Sequence, residues 1–177
     1  MKTTYLIRSA LVAAAAVLSL AGCVSSPPVA PRAAVDNTTP AQRLAAVDAI
    51  AGADDTELSV QPLRDAQVDD LRQTAIAQRK AGDLAAAAEA LNQALLLVND
   101  DPGILQERAD IALLQADWVR AETLSKKALD LGSRTGPLCR RHWATIEQSR
   151  LARGETQNAV SAHAQIEGCT VPGIKRF

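Results

Sequence analysis

Aromatic side chains are nearly missing from this chain: of 177 residues, four are Phe, Trp or Tyr. Beyond residue 22 only Trp118, Trp143 and Phe177 remain, and the single Met is residue 1. Ala, Leu, Val and Ile must therefore supply the core. That favours helix packed on helix over a β-sandwich or barrel, whose pleated surfaces draw on aromatic residues. Histidine is scarce too, with His142 and His163 alone, which argues against a Ser/His/Asp arrangement. Glycine-rich phosphate loops, nucleophile elbows and metalloprotease helix motifs are absent. No catalytic residue and no cofactor is expected. Excess positive charge is lacking as well. The first 22 residues hold Lys2 and Arg8 and no acid, so without them 19 basic residues fall to 17 against 20 acidic, a net of −3. Nothing in that balance points to nucleic acid or an anionic lipid surface as partner. The length accommodates one domain plus appendages.

What is present is a repeat. Shifted by 34 residues, the stretch from Leu71 to Leu131 falls on itself: Leu71 meets Leu105, Ala75 meets Ala109, Asp83 meets Asp117, Ala87 meets Ala121, Ala94 meets Ala128 and Leu95 meets Leu129. A fixed period of this length with recurring small residues signals stacked helix–turn–helix units, because helices approach closely only where Ala replaces larger side chains. Punctuation agrees. Asp65, Asp83, Asp101 and Asp117 stand where N-caps belong, Gly82 and Gly132 where helices stop, and Pro102 at a first helical position. The expected helices run from about Ala66 to Lys80, Leu84 to Val98, Pro102 to Gln115 and Trp118 to Leu131. A third unit follows at a shift of 38, with Leu105 mapping to Trp143, Asp117 to Glu155, Ala121 to Ala159 and Ala128 to Ile166. The four extra residues fall in the turn from Gly132 to Pro137, and Glu147 replaces a small residue, so this unit is degenerate.

These residues resemble the tetratricopeptide (TPR) repeat, in which small residues recur at the places held here by Ala75, Ala87 and Ala94, then Ala109, Ala121 and Ala128. Gln78 and Ala112 stand where that family often has Tyr. The resemblance implies an all-α solenoid of two clear repeats and one degenerate one over residues 65–169. It also implies a concave surface lined by the first helix of each hairpin. By family register that surface includes Arg72, Ile76, Arg79 and Lys80, then Gln106, Asp110 and Leu113, then Arg141, Thr145 and Gln148. Asp69, Gln73 and Ile76 occupy part of the positions at which some TPR proteins grip a terminal carboxylate with Lys and Asn, so that clamp is not reproduced.

The amino-terminal 22 residues read as an export signal, with Lys2 and Arg8 ahead of an apolar run. The run from Ala10 to Val24 is 15 residues, short of the ~20 needed to span a bilayer as a retained anchor. It closes on Leu20-Ala21-Gly22-Cys23, which resembles a bacterial lipobox. That likeness implies cleavage before Cys23, lipidation of its sulfur and acylation of its amine, and a domain anchored to the membrane without spanning it. Val24, being other than Asp, implies by the same likeness an outer-membrane destination facing the periplasm. Residues 23–40, rich in Ser, Thr and Pro, read as a flexible tether. Residues 41–64 form a lead-in: Leu44, Val47, Ile50 and Ala51 make a short helix expected to cover the outer face of the first repeat. The acidic run Asp54, Asp55 and Glu57 reads as a solvated loop lacking calcium-loop spacing. Residues 170–177 are a tail.

Cys139 and Cys169 remain as a pair. They flank the start and the end of the third hairpin, which antiparallel helices bring side by side, and an exported protein permits them to close. A disulfide there encloses a loop of about 30 residues, for which chain-entropy models give on the order of 3–4 kcal/mol. The rival use is a metal site, since Cys139-x2-His142 and His163-x5-Cys169 offer four ligands without the usual zinc-module spacing. Three roles follow. The leading one is a lipid-anchored, non-catalytic TPR adaptor that binds an envelope protein or peptide and helps assemble an envelope complex. The others are a small metal or redox module on the Cys/His cluster, and a minor cell-wall enzyme or ligand-binding protein.

Overall fold

The computed structural model describes Asp36–Gly52 and Asp65–Thr170. The leader with Cys23, the tether up to residue 35, the acidic loop and the tail beyond Thr170 lie outside the described residues. Within them the protein is all-α, with seven helices: α1 Pro40–Ala51, α2 Ala66–Ala81, α3 Leu84–Leu97, α4 Pro102–Leu114, α5 Trp118–Leu131, α6 Pro137–Ala152 and α7 Thr156–Gly168. Three hairpins, α2/α3, α4/α5 and α6/α7, follow in series. α3 packs on α4, and α5 on α6, as in a helical-repeat-like stack.

The caps are built as the spacing requires. The carboxylates of Asp65, Asp83, Asp101 and Asp117 accept from the backbone amides of Gln67, Ala86, Ile104 and Arg120, which otherwise have no partner in the first turn. α1 opens with a capping box: Thr39 Oγ1 accepts from Gln42 N at 3.2 Å, and Gln42 Oε1 accepts from Thr39 N at 2.8 Å.

Each hairpin turns in the same way. Gly82, Ala116 and Gly154 lie 34 and then 38 residues apart and all take positive φ (84°, 59° and 73°). The amides that follow point back into the preceding helix in equivalent bonds: Asp83 N to Gln78 O, Asp117 N to Ala112 O and Glu155 N to Arg150 O, each 2.9 Å. This is the Schellman closure, and only Ala116 meets it with a side chain.

All six matched alanines are buried, none more than 3% exposed, so the small residues mark where the helices touch. The third hairpin is held differently at its ends. At the N-cap of α7 the Glu155 carboxylate accepts no first-turn backbone amide, and Gly136 precedes Pro137 at the start of α6. Cys139 and Cys169 are joined by a disulfide, with Cα atoms 5.7 Å apart, and Gly136 N donates to Cys169 O at 2.7 Å. The start of α6 and the end of α7 are thus tied twice.

One placement differs from the expectation. α1 does not cover the first hairpin; it lies on α6 and α4, on the side of the stack formed by the first helix of each hairpin. Leu44 and Val47 bury among Ala112, Leu113 and Ala144. The apolar stripe of α1 was legible, but its seat depends on α4 and α6 side chains more than 60 residues away.

Candidate functional site

The face lined by α2, α4 and α6 divides into a covered part and an open part. Over α4 and α6 it is covered by α1, and arginines do most of the polar joining. Arg43 of α1 is buried: its Nη1 donates to Gln148 O at 3.3 Å and to Gln148 Oε1 at 3.2 Å, and its guanidinium lies 5.7 Å from the centre of the Trp118 ring. It also pairs with Asp36. Arg140 donates from Nε at 3.2 Å and from Nη2 at 3.1 Å to Ala51 O. A cation therefore meets the carbonyl end of α1, where the helix dipole is negative. Arg141 bridges Asp48 of α1 at 2.7 Å and Asp110 of α4 at 2.6 Å.

Beneath this layer sits a buried polar network centred on Gln106. Its Nε2 donates to Asp110 Oδ1 at 2.7 Å and to Thr145 Oγ1 at 2.9 Å, and its Oε1 accepts from Ser125 Oγ at 3.1 Å. His142 Nδ1 lies 2.6 Å from the same oxygen. With the amide nitrogen spent on Asp110 and Thr145, the oxygen faces His142, so Nδ1 carries the hydrogen. Burial, and then the nearby Arg141, push the His142 imidazole down to about 4, so it is neutral at physiological pH. Burial pushes the Asp110 carboxyl up, against the pull of Arg141 and of the Gln106 amide.

On the far side of α5, Glu122 gathers three cations: Lys126 at 2.6 Å, Arg150 at 3.0 Å, and Arg153. Burial works to raise its carboxyl, but Lys126, Arg153 and Arg150 together hold it at about 2. The cluster locks α5 to the third hairpin.

The ten residues assigned to the partner surface therefore separate. Gln106, Asp110, Leu113, Thr145 and Gln148 are buried, and Arg141 is half-buried between its two carboxylates. Arg72 is half-buried, donating from Nε to both Glu107 oxygens at 3.1 and 2.9 Å and from Nη1 to Asp69 at 3.3 Å. Ile76 is half-buried beside it, while Arg79 and Lys80 are exposed. Arg72, Ile76, Arg79 and Lys80, all on α2, are the part that α1 leaves uncovered. Arg43, Arg140 and Glu122 escaped the sequence reading, because a charged side chain on a helix looks solvated until its neighbours are known.

The rival metal set is not brought together. The two sulfurs bond each other, His142 is turned to Gln106, and exposed His163 sets its Nδ1 3.1 Å from Glu147. Among the described residues no group of three or more metal-binding side chains converges, and no helix is long and apolar enough to cross a membrane.

No family model matches the chain, and none of the curated proteins does. Among solved structures, it is similar to the globular C-terminal domain of P. aeruginosa LpoP, at 28% identity and a TM-score of 0.55. The match covers 59% of this chain and 99% of that domain. The likeness thus extends over a domain-sized part of this chain and essentially the whole of the other.

Proposed function

We propose that this protein is a lipid-anchored TPR-like adaptor of the bacterial envelope, which binds a protein or peptide partner without catalysis. Three observations support the reading. The leader ends in a lipobox-like Leu-Ala-Gly-Cys with Cys23 as the lipid acceptor. The 34-residue echo and its buried alanines match the small-residue register of that repeat. The globular C-terminal domain of LpoP is matched over 99% of its length at 28% identity.

The observation that carries the reading is α1 itself. The first-helix face already holds a helix, through an apolar stripe flanked by arginine contacts to Ala51 O, Gln148 and Asp48. A face that seats one helix has the chemistry to seat another segment alongside it. The free stretch is on α2, where Arg79 and Lys80 are exposed next to half-buried Ile76. A partner segment with acidic residues around an apolar anchor suits it.

Crosslinking in intact cells tests this. A photo-crosslinking residue at Arg79 or Lys80 should capture a defined envelope protein, and the capture should fall in an Arg79→Glu, Lys80→Glu chain probed from Gln73. The same probe at Val160, exposed on α7, should not capture it. Capture from Val160 but not from α2 would end the assignment.

A further inference from the structure

A cleft of about 400 Å³ opens between α3 and α5, with Arg108 of α4 in its lining. Arg108 is 4% exposed. A cation so deeply placed ordinarily has a carboxylate against it, because an unpaired charge removed from water is costly. Among the described residues Arg108 has no ion pair. Its Nε donates to Asn92 Oδ1 at 3.0 Å, and its Nη1, sealed from water, has no partner among them.

Asp117, the nearest acid in the cleft, is otherwise engaged. It caps α5 through Arg120 N at 3.2 Å and pairs with Arg120 Nε at 3.0 Å. Burial, and then Arg120, work to discharge Arg108, and Asp117 only partly offsets them. The lining sums to two cations and one anion, Arg108 and Arg120 against Asp117, which one added negative charge would balance. A dianionic phosphate would overshoot. The rest of the lining is largely apolar: Leu95, half-buried Leu124, and Val119, which is 64% exposed.

We propose that this cleft is a binding site for the carboxylate of a peptide chain terminus whose last residue is aliphatic. The guanidinium of Arg108, held at Nε by Asn92, would take the carboxylate on the side that lines the cleft, and Arg120 would close over it from the rim. An α-carboxylate carries its side chain one atom away, so the aliphatic group reaches Leu95 and Val119 without leaving the cleft. Arginine is suited to this because its planar fork matches a carboxylate. The site uses α3, α4 and α5, so it stands or falls independently of the α2 surface.

The test is an NMR titration of the full isotope-labelled chain with acetyl-Ala-Leu bearing a free carboxylate, with acetyl-Ala-Leu amide, and with inorganic phosphate. The free acid should shift the amides of Asn92, Leu95 and Val119 saturably, and the other two probes should shift them at least tenfold less. Arg108→Met should weaken binding of the acid at least tenfold. It should leave the melting temperature level or raised, because it replaces an unpaired buried charge by an apolar side chain of similar length. Should Arg108→Met fail to fold, Arg120→Met on the rim should weaken binding severalfold. Equal shifts from the amide or from phosphate would overturn the proposal, as would saturation unchanged in the arginine variants or no shift with any probe.

Discussion

At the scale of single residues, the buried polar groups of this domain are tied to one another across hairpins. Gln106 is the clearest case. One amide side chain on α4 reaches Ser125 on α5 and Thr145 and His142 on α6, so any relative shift of those helices breaks bonds that water cannot replace. His142 makes the network sensitive to acid. Unfolded, it takes up a proton near 6.5; folded, it resists protonation to about 4. Its folded pKa is depressed, so the unfolded state binds more protons between those values, and stability falls as pH drops through that window. At 1.36 kcal/mol per unit the loss is about 3 kcal/mol. Denaturant unfolding of the wild type between pH 7 and pH 4 should show this loss beyond that of His142→Asn, which cannot titrate. The comparison matters because Asp110, raised by burial, contributes in the opposite sense.

Helices and turns were the most legible part of the sequence, because their signals are local. Four aspartates and a proline marked the starts of α2 to α5, Gly82 and Gly132 the ends of α2 and α5, and those helix starts fall where the spacing put them. The 38-residue shift likewise located the third hairpin. The docking of α1 was not legible, because Leu44, Val47, Ile50 and Ala51 define a stripe without defining what covers it. Arg108 left a faint signal: its helical neighbours Ile104, Leu105, Ile111 and Ala112 are all apolar, which is unusual company for a solvated cation. The turns yield a direct prediction. Ala116 occupies with φ 59° a place that glycine holds in the other two hairpins. An Ala there bears the left-handed penalty, partly offset by the extra chain entropy that Gly loses on folding. Ala116→Gly should therefore stabilise the domain by about 0.5–1 kcal/mol, measured by chemical denaturation; a loss of stability would show that the turn needs its methyl group.

Across the whole molecule, the chain wraps back on itself. The segment from Pro40 to Ala51 forms α1 and is seated on the second and third hairpins, while the disulfide holds the last hairpin together. Charge follows this arrangement. Residues 24–110 hold 7 basic and 14 acidic side chains, a net of −7, and residues 111–177 hold 10 and 6, a net of +4. Arg140 and Arg141, from the basic half, meet the carbonyl end and Asp48 of α1, from the acidic half. The half-buried Arg72–Glu107 contact joins the first hairpin to the second, leaving Arg79 and Lys80 as the uncovered cations of the first-helix face. The first-helix face is thus filled in part by the chain itself and open in part. Amide hydrogen exchange on the full chain tests this division. If α1 is seated, Leu44–Ala51 should exchange within about tenfold of the core amides of α4, since both open only when the stack does. Exchange of Leu44–Ala51 at the rate of an unstructured peptide, with α4 still protected, would contradict it.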